Sequence, residues 1–347
     1  MVHNAHAMIA WNRKVVLVTG GASFLGSSLV DALIARGVRQ MRVVDNLSSG
    51  KRDHLATHLK NGSVELVVAD LLEPRVAEQA VSGVDVVFHL AADHGGRGYL
   101  EANESKCAGN LILDGNVFRT CAEANVEKVV FASSACVYPT RLQQDPSQEL
   151  YLSEEMVGPP YQADNLYGWA KLMGELSLRA YYRERGLRSA SCRYFTVYGP
   201  RANETHAILA MIARAFVKQD PFVVWGDGTQ VRSWVYIDDA VEVTIQAAER
   251  IDDASAVNIG TRERVRILDA AKQIQRECGY APGIELHPEM PTGPKNRAAD
   301  NSLAARLLGW APGVPFEEGL RRTIEWYFSA HDSELVKTNL DRILVEN

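Results

Sequence analysis

The stretch that decides the fold is VVLVTGGASFLG at residues 15–26. Its first five residues are apolar or β-branched, which predicts a buried strand over Val15–Thr19. Two glycines follow at once, Gly20 and Gly21, and they allow the backbone a tight turn. Apolar residues then recur at helical spacing, which predicts a helix over Ser27–Arg36. The chain therefore begins with a strand, a glycine-rich turn and a helix.

Similar strand-like runs recur through the first half of the chain. Each run is almost continuously apolar, as expected when helices cover both faces of a sheet, and most gaps between runs are long enough for a helix. This alternation predicts an α/β fold with a doubly wound parallel sheet of the Rossmann type. The predicted strands are Val15–Thr19, Met41–Asp45, Val64–Ala69, Val84–Ala91, Val129–Ser133 and Ser189–Tyr194.

The pattern changes after Gly199. Phe222–Trp225 and Gln230–Ile237 flank an Asp-Gly turn, which predicts a β-hairpin. Helical segments and loops rich in proline and glycine follow, and they indicate a smaller, mixed α/β domain. The expected division is residues 12–198 and 236–262 for the doubly wound domain, 199–235 and 263–330 for the smaller domain, and 331–347 for a C-terminal tail.

Composition and charge exclude several classes of protein. The chain has 347 residues, 46 % of them hydrophobic, and a net charge of −6 without a dense basic run, so no nucleic-acid partner is expected. The five cysteines are widely spaced and form no C-x-x-C motif, so neither a disulfide framework nor a metal site is predicted. Apolar runs stay well short of the roughly 18 residues of a membrane span, and residues 1–13 lack the apolar region of a signal peptide. We expect a cytoplasmic protein with a small-molecule partner and no membrane association.

The glycine-rich turn predicts a dinucleotide site. Glycines there would let the backbone approach a pyrophosphate, whose charge is favoured by the N-terminus of the next helix. Asp45 ends the second strand 19 residues after Gly26, where a carboxylate would accept both ribose hydroxyls and repel the extra phosphate of NADP. We therefore expect NAD as the cofactor. Asp70, at the end of the third strand, either hydrogen-bonds the adenine or caps a turn.

Tyr167 and Lys171 suggest catalysis. They are spaced i, i+4 in a segment, residues 164–184, that has helical periodicity, so both lie on one helix face. A lysine beside a phenol favours the phenolate, which makes Tyr167 a candidate general base. Ser133 and Ser134 stand at the carboxyl end of a predicted parallel strand, where open α/β sheets bind their ligands. A serine there would donate a hydrogen bond to the same substrate oxygen.

Several motifs along the chain point to one family. They are Thr19–Gly26, Val44–Gly50, His89–Ala92, Ser133-Ser134, Tyr167 with Lys171, Tyr198–Arg201, Trp225–Asp239, Val257–Gly260 and Leu308–Pro312. Together they resemble the extended short-chain dehydrogenase/reductase family, the nucleotide-sugar epimerases and dehydratases, from about Lys14 to Phe328. This resemblance implies a firmly held NAD that takes a hydride from a sugar carbon, usually C4, and later returns it. It also implies that the larger domain binds NAD and the smaller domain binds a nucleotide sugar.

The resemblance also assigns residues to roles. It implies that Tyr167 is the base, that Lys171 binds the nicotinamide ribose and lowers the tyrosine pKa, and that Ser134 orients the sugar hydroxyl. Asn110 would support the site. The implied cofactor-binding set is Gly20, Ser23, Phe24, Leu25, Gly26, Asp45, Asn46, Ser48, Asp70, Leu71, Leu90, Ala91, Ala92, Asn110, Tyr167 and Lys171.

Within the family, the chain is most similar to the GDP-mannose 3,5-epimerases. In those enzymes a cysteine and a lysine exchange protons beside the 4-keto group. Cys136 matches the cysteine, whereas the lysine is absent and His206 falls nearest its place. His94 and Arg97 replace two methionines of the family and change the polarity of the sugar pocket. The stretches that carry this likeness are Ala91–Tyr99, Ser133–Pro139 and Trp225–Ser233.

Two further arginines resemble the family's diphosphate clamp. Arg232 and Arg297 could make bidentate contacts with phosphates, although either could be a plain surface charge. A second apolar stripe on the Tyr167 helix, residues 166, 169, 172, 173 and 176, needs a partner, and the resemblance implies a homodimer. The expected substrate-binding residues are Gly95, Gly96, Arg97, Ser134, Cys136, Arg201, Arg232 and Arg297.

Other activities fit the same motifs. A 4-epimerase of a nucleotide-linked hexose, uronate or heptose needs only hydride transfer and rotation of the keto-sugar, so it would not miss the lysine. A 4,6-dehydratase is less well matched, because that class carries an Asp-Glu pair where this chain has Ala135-Cys136. An NAD-binding regulator without catalysis is disfavoured by the intact Tyr167, Lys171 and Ser134. We therefore expect an NAD-dependent nucleotide-sugar epimerase that acts through a 4-keto-sugar.

Overall fold

A parallel β-sheet forms the centre of the protein. The structure is a computed structural model and describes residues 9–344. In chain order its strands are β1 (Val15–Thr19), β2 (Gln40–Asp45), β3 (Val64–Val68), β4 (Val86–His89), β5 (Lys128–Ser134), β6 (Ser189–Tyr194), β7 (Thr196–Tyr198), β8 (Phe222–Trp225), β9 (Val231–Arg232), β10 (Trp234–Tyr236), β11 (Asp253–Ile259), β12 (Val265–Arg266), β13 (Ile284–His287) and β14 (Asn296–Arg297).

Helices alternate with the strands. They are α1 (Phe24–Ala35), α2 (Ala56–Lys60), α3 (Pro74–Val81), α4 (Arg97–Ala102), α5 (Glu104–Glu123), α6 (Asn165–Arg185), α7 (Ala207–Phe216), α8 (Ile237–Arg250), α9 (Ile267–Glu277), α10 (Ser302–Leu308), α11 (Phe316–Ala330) and α12 (Ser333–Ile343). No helix within residues 9–344 is long and apolar enough to cross a membrane.

The central sheet has seven strands in the order β11-β6-β5-β4-β1-β2-β3, all parallel to their neighbours. The chain winds outward from β1 in one direction and from β4 in the other. Their carboxyl ends therefore flank a crevice, the place where open α/β sheets bind ligands. The predicted doubly wound α/β fold is confirmed.

Buried apolar side chains cover both faces of this sheet. Val16 and Val18 pack on one face, with side chains of α1 and α8, whereas Leu17 between them packs on the other face, with side chains of α3, α5 and α6. This alternation follows from the two-residue period of a strand. It explains why the strands are apolar throughout.

Two boundaries differ from the sequence-based expectations. Helix α1 begins at Phe24, not at Ser27, so Gly26 lies inside its first turn. A Cβ on Gly26 would lie 2.1 Å from the carbonyl oxygen of Gly20, so only glycine allows this close approach of helix and turn. The seventh strand, β11, was not predicted, because polar residues and a register shift between Asp253 and Ala256 interrupt its apolar pattern.

The predicted hairpin is wrong. Strand β8 pairs in parallel with β13, while β9 pairs with β12 and β14, so Phe222–Trp225 and the strands after it lie in different sheets. Gly226 and Gly228 do turn the chain, with φ of +87° and +77°, but the turn leads it away from β8. The partner of β8 lies about sixty residues further on, beyond the reach of a local turn signal.

The smaller sheets β10-β7, β12-β9-β14 and β13-β8 lie outside the central sheet. All seven central strands fall within residues 12–198 and 236–262. The proposed division into two domains stays a prediction. The segment 331–347, expected to be a tail, contains α12, which packs on α7; residues 345–347 lie outside the described part of the chain.

Candidate active site

A single cavity of about 1,100 Å³ lies at the carboxyl ends of the central strands. Its walls continue over α7, β8 and residues 291–297. Ligand pockets commonly measure roughly 300–1,000 Å³, so this cavity is large enough for two ligands side by side. Every catalytic and substrate-binding residue predicted from the sequence lines it, and so does every predicted cofactor-binding residue except Gly26.

The cofactor end is formed by the turn after β1. A Cβ on Gly20 would lie 2.9 Å from the backbone nitrogen of Ala91, so the turn fits closely against the end of β4. Asp45 is almost fully buried and accepts hydrogen bonds from the backbone N–H groups of Ala22 (2.9 Å) and Leu47 (2.8 Å). Burial raises the pKa of Asp45, partly offset by these two hydrogen bonds. The carboxylate retains lone pairs that can accept ribose hydroxyls.

Asp70 caps a turn, which is one of the two roles predicted for it, and its contact with the adenine stays a prediction. One oxygen accepts the backbone N–H of Leu72 at 2.9 Å, as a turn cap does, and the other accepts the Asn46 side-chain amide at 3.2 Å. Both Asp70 and Asn46 line the cavity. The turn geometry therefore keeps one carboxylate oxygen of Asp70 at the cavity wall.

Tyr167 and Lys171 lie on α6 and are buried, at 6 % and 1 % exposure. The Lys171 ammonium is 5.8 Å from the centre of the Tyr167 ring and 4.6 Å from that of Phe131. It has no hydrogen-bond partner among residues 9–344, and burial lowers its pKa. A buried ammonium with three unused donors in a cavity wall is a binding group for an acceptor on a ligand.

The electrostatics of Tyr167 differ from the sequence-based expectation. Burial raises the pKa of Tyr167 well above its usual value, and the nearby Cys136 adds to the effect. A hydrogen bond with Ser134 acts in the opposite direction. Lys171 was expected to lower the pKa of Tyr167. This lowering does not prevail, because the desolvation of the phenolate outweighs its attraction to an ammonium at this distance. In the protein alone Tyr167 is therefore protonated at neutral pH.

A buried chain of polar groups behind Lys171 was not predicted. His89 bonds Thr19 Oγ1 through Nδ1 (2.7 Å) and Asp114 Oδ1 through Nε2 (3.0 Å). The second oxygen of Asp114 has no hydrogen-bond partner in the described chain, and its charge raises the pKa of Lys171 against the effect of burial. Asp114 belongs to no motif, so only its i, i+4 spacing from Asn110, a predicted site residue, could have indicated it.

The glycine-rich turn after β4 is held by Asn110. Its side chain accepts the backbone N–H of Asp93 (2.7 Å) and donates to the Asp93 carbonyl (2.9 Å). Tyr99 closes the turn by donating its hydroxyl to the Asp93 carboxylate at 2.9 Å. Asn110 thus fixes the backbone at Asp93, and the supporting role that the resemblance implies for it stays a prediction.

Three arginines meet in the substrate half of the cavity. Arg97 and Arg297 both bond the carboxylate of Asp164, at 2.9 and 3.1 Å. Burial acts to raise the pKa of Asp164, but these two guanidinium groups lower it overall. Arg297 Nη1 also lies 3.4 Å from the Cys136 sulfur. Asp164 was missed because an aspartate directly before a helix is typical of a simple cap.

Arg232 has a different set of partners. Its guanidinium donates only to the backbone carbonyls of Val231 (2.9 Å) and Thr292 (2.7 Å), without an ion pair within residues 9–344. Burial, with Arg297 and Arg97 nearby, lowers the pKa of Arg232 to about 9. An anion in the cavity would relieve this cost, which fits the predicted diphosphate contact.

Arg201 also lines the cavity, but its guanidinium is already engaged. It bonds Asp31 at 2.8 Å and Ser27 at 3.1 Å, both on α1. This arginine therefore ties the segment that follows β7 to α1, and its predicted contact with substrate stays a prediction.

Two histidines line the cavity near Tyr167, with His94 between Tyr167 and His206. The His94 ring is centred 5.2 Å from the Tyr167 ring and 5.4 Å from the ring of His206, which directly precedes α7. Desolvation lowers the pKa of His94 to about 3 and that of His206 to about 4. Both imidazoles are therefore neutral at pH 7 and available as proton acceptors or hydrogen-bond donors.

This fold and site define a class of protein: a doubly wound dinucleotide-binding fold with a Tyr-Lys pair beside the cleft. Residues 16–260 match the NAD dependent epimerase/dehydratase family. The chain belongs to that family.

Similar proteins carry out several reactions. The chain is 30 % identical over 322 residues to GDP-mannose 3,5-epimerase 1 of Oryza sativa subsp. japonica, covering 90 % of this chain and 81 % of that protein. It is 29 % identical over 328 residues to UDP-N-acetyl-alpha-D-glucosaminuronate decarboxylase of Bacillus cytotoxicus, covering 91 % and 98 %. The crystal structure of UDP-glucuronic acid 4-epimerase from Bacillus cereus, with UDP-glucuronic acid and NAD, superposes with a TM-score of 0.82 at 26 % identity, over 91 % of this chain and all of that one.

Proposed function

We propose that this protein is an NAD-dependent nucleotide-sugar epimerase that acts through a transient 4-keto-sugar, as the GDP-mannose 3,5-epimerases it resembles do. The observation that carries the proposal is that Tyr167, Ser134 and Cys136 line one cavity with the glycine-rich turn. The relatives' activities on GDP- and UDP-linked sugars support a nucleotide diphosphate sugar as substrate.

The residues present fit NAD. The unpartnered ammonium of Lys171 would bind the hydroxyls of the nicotinamide ribose, and Asp45 those of the adenosine ribose. The close fit at Gly20 and Gly26 leaves backbone N–H groups at the N-terminus of α1 free to face the pyrophosphate. NAD bound there would accept a hydride from the sugar and later return it.

Tight packing sets the position of the acid–base groups. A Cβ on Gly168 would lie 2.3 Å from the Cys136 carbonyl oxygen, so α6 approaches this segment as closely as backbone allows. The Asp164 backbone N–H donates to the same carbonyl at 2.8 Å, and the Cys136 N–H donates to Ser134 Oγ at 3.1 Å. Tyr167 and the Cys136 thiol are thereby held on the same wall of the cavity.

The proton steps follow from these groups. In its deprotonated form, Tyr167 takes the proton of the sugar 4-hydroxyl while Ser134 holds that oxygen. The hydride at C4 would leave to bound NAD, and the C4–OH group becomes a C4=O group. The keto group acidifies the C–H bonds at C3 and C5. One of Cys136 and His206 then removes the carbon-bound proton, and the other delivers a proton to the opposite face, which inverts the carbon. Arg297 Nη1 lies 3.4 Å from the Cys136 sulfur and can donate a hydrogen bond to it.

Charged groups would hold the rest of the substrate. Arg232 lacks a carboxylate partner within residues 9–344. Arg297 bonds Asp164 and Gln143 and lies beside the Cys136 sulfur, and it would share these partners with a phosphate. We assign these two guanidinium groups to the diphosphate. Arg97, at the glycine-rich turn, is assigned to the sugar hydroxyls.

One observation favours a second candidate, a simple 4-epimerase. Burial lowers the pKa of His206 to about 4, which makes this imidazole a weak base for a C–H bond. A 4-epimerase would need no such base, because the keto-sugar only rotates between the two hydride transfers. His206 would then only pack beside His94 and would transfer no proton.

Turnover with defined nucleotide sugars tests the proposal. GDP-mannose, UDP-glucose, UDP-glucuronate and dTDP-glucose are each incubated with the NAD-loaded protein, and the products are followed by NMR. We expect one of them to give an epimer at C3, C4 or C5. Loss of carbon dioxide or of water from every substrate that reacts would make the protein a decarboxylase or dehydratase, and no reaction with any of them would favour a regulator.

We also propose a homodimer through α5 and α6, which pack against each other. Leu111 and Ile112 on α5, with Leu166, Trp169 and Met173 on α6, leave a large apolar patch exposed. Light scattering should give twice the monomer mass, and Trp169→Glu should give the monomer. Leu335→Glu, an equally drastic change at an exposed leucine of α12, should leave the dimer intact. A wild-type monomer would contradict this proposal. A cytoplasmic location stays a prediction.

A further inference from the structure

Asp114 on α5 is a buried carboxylate that takes no part in the proton steps. It is 2 % exposed, and carboxylates are rarely buried so deeply unless they are paired. Its Oδ1 accepts a hydrogen bond from His89 Nε2 at 3.0 Å, while its Oδ2 has no hydrogen-bond partner among residues 9–344. One oxygen of Asp114 is therefore held, and the other is left unused inside the protein.

The histidine that holds Asp114 is neutral. Thr19 Oγ1 accepts the backbone N–H of Ala91 at 3.1 Å and lies 2.7 Å from His89 Nδ1, which serves as the acceptor for the threonine hydroxyl. The ring proton of His89 is then on Nε2, from which it is donated to Asp114. Burial lowers the pKa of His89 despite this hydrogen bond. His89 therefore orients the carboxylate without cancelling its charge.

The unused oxygen of Asp114 lies against α6, close to Lys171. A Cβ on Gly174 would lie 3.2 Å from Asp114 Oδ2 and 2.6 Å from Cζ of Phe131. Gly174 follows Lys171 by three residues on α6, so both lie on one side of the helix. The Lys171 ammonium is 4.6 Å from the centre of the same Phe131 ring. The carboxylate and the ammonium therefore lie beside one buried aromatic ring, without a direct hydrogen bond between them.

The other titratable groups around Lys171 do not supply a counter-charge. They are Tyr167 and Glu175 on α6, His89 on β4, His94 after β4 and Cys136 after β5. Glu175 is engaged by Arg193, at 2.9 and 2.7 Å, and by Ser133 at 2.6 Å. Desolvation lowers the pKa values of both histidines, so they are neutral at pH 7. Burial also lowers the pKa of Lys171, and it is the charge of Asp114 that opposes this effect.

We propose that Asp114 is a positioning residue that acts through Lys171: its carboxylate, oriented by His89, is the counter-ion that keeps this lysine protonated. The ammonium can then bind NAD and attract the phenolate of Tyr167 as it forms. This inference rests on the proposed function, which assigns Lys171 to the cofactor. A neutral amine in the same place would be a weaker hydrogen-bond donor and would not attract a phenolate. Asp114 thereby widens the pH range over which the Tyr-Lys pair works.

Removal of the charge alone tests this role. Asp114→Asn keeps an oxygen that accepts the His89 hydrogen bond, and Asp114→Ser is a second neutral variant with a smaller side chain. The affinity of the cofactor-stripped, full-length protein for NAD is measured by calorimetry from about pH 6.5 to about pH 9.5, below the usual pKa of lysine. In both variants the affinity should begin to fall at a pH about one unit or more below that of wild type. The affinity should then be roughly fivefold weaker than at lower pH, because a charged donor has become neutral.

Asp252→Asn is the matched control. Asp252 bonds the buried Lys128 at 2.8 Å outside the cavity, so this variant removes the carboxylate partner of a different buried lysine. Its NAD affinity should follow the wild-type dependence on pH.

The reduction of bound NAD provides a second measurement. It is followed by rapid-mixing absorbance with whichever of GDP-mannose, UDP-glucose, UDP-glucuronate and dTDP-glucose reacts. In Asp114→Asn the rate should fall with rising pH in a range where the wild-type rate still increases, because Lys171 has lost its charge. A profile that is only shifted to lower pH, without this fall, would mean that Asp114 acts on Tyr167 directly and would contradict the counter-ion role.

The remaining outcomes also decide. Profiles of Asp114→Asn and Asp114→Ser that coincide with wild type would overturn the proposal. A loss of NAD affinity that is the same at every pH, or loss of the folded state in both variants, would assign Asp114 to the stability of the fold alone and would overturn it too. If none of the four sugars reduces bound NAD, the proposed function fails, whereas the NAD titrations still test the role of Asp114.

Discussion

The two ends of the cavity are built in different ways. At the cofactor end, the backbone turn at Gly20, the N-terminus of α1 and one carboxylate, Asp45, come from the first 45 residues of the chain. At the substrate end, the charged groups Arg97, Asp164 and Arg297 come from three distant segments and meet through their side chains. A site that consists mainly of backbone groups can be predicted from local sequence. A site that consists of side chains from distant segments depends on the whole fold.

This difference has an energetic counterpart. Asp45 is stabilised by backbone hydrogen bonds that exist without a ligand. Several cations of the catalytic and substrate groups are left without such partners: the Lys171 ammonium, Nε of Arg214, and Arg232, which reaches only backbone carbonyls. The carboxylate of Asp45 is therefore satisfied without a ligand, whereas Lys171 and Arg232 would gain further partners only from bound NAD and substrate.

The largest expected effect is at the junction of the two ends. Tyr167→Phe removes the base but keeps the ring that packs against His94, so sugar oxidation should fall by about 10²–10⁴-fold. NAD and the nucleotide diphosphate should still bind. Rapid-mixing absorbance of bound NADH, with calorimetry for binding, measures both.

Tyr182→Phe provides the control on the same helix. Its ring is exposed and lies outside the cavity, so activity should not change. Wild-type oxidation in Tyr167→Phe would contradict the role of the Tyr-Lys pair and with it the proposed chemistry.

An intermediate effect is expected at the cofactor end. A carboxylate about 4 Å from the 2′-phosphate of NADP costs roughly 1–4 kcal/mol, depending on the local dielectric. Cofactor-stripped protein should therefore bind NAD at least about fivefold more tightly than NADP. Asp45→Asn should reduce this ratio, while Asp70→Asn, the carboxylate at the end of the next strand, should not change it. Equal binding of NAD and NADP to the wild type would contradict the role assigned to Asp45.

The smallest expected effect, at no more than tenfold for one pH unit, concerns pH. Because burial raises the pKa of Tyr167, the fraction of deprotonated base increases with pH throughout the range below the usual tyrosine pKa of about 10. The rate of sugar oxidation should therefore rise from pH 7 into the alkaline range, by up to tenfold per pH unit, while NAD stays bound. A rate that is already constant from pH 7 upward would show that the phenol is activated before the sugar arrives.

The fold could be predicted where the signal is local. The run Val15–Thr19, its glycines and the β-α alternation gave the doubly wound sheet, because strand, turn and helix are neighbours in sequence. The hairpin predicted at residues 222–237 was wrong, because the pairing of its strands is not local in sequence. An Asp-Gly turn indicates that the backbone changes direction, but only the folded chain shows that β8 pairs with Ile284–His287.

The site divides in the same way. Tyr167 with Lys171, and Asp45, were predictable because their spacing is local. Asp114 and Arg214 were not, since each is a polar residue in a helix whose burial depends on packing partners distant in the chain. The raised pKa of Tyr167 is likewise a property of its surroundings and not of its distance to Lys171 in sequence.

The central claim is that the keto-sugar exchanges a proton at carbon, and heavy water tests it most directly. Inversion at C3 or C5 breaks a C–H bond and brings in solvent hydrogen, whereas inversion at C4 returns the same hydride. The account predicts deuterium at C3, C5 or both, detected by NMR of the product. It also predicts that Cys136→Ala abolishes this label while NAD bound to the protein is still reduced. An epimerised product without deuterium on carbon would contradict the roles of Cys136 and His206 and make the enzyme a 4-epimerase.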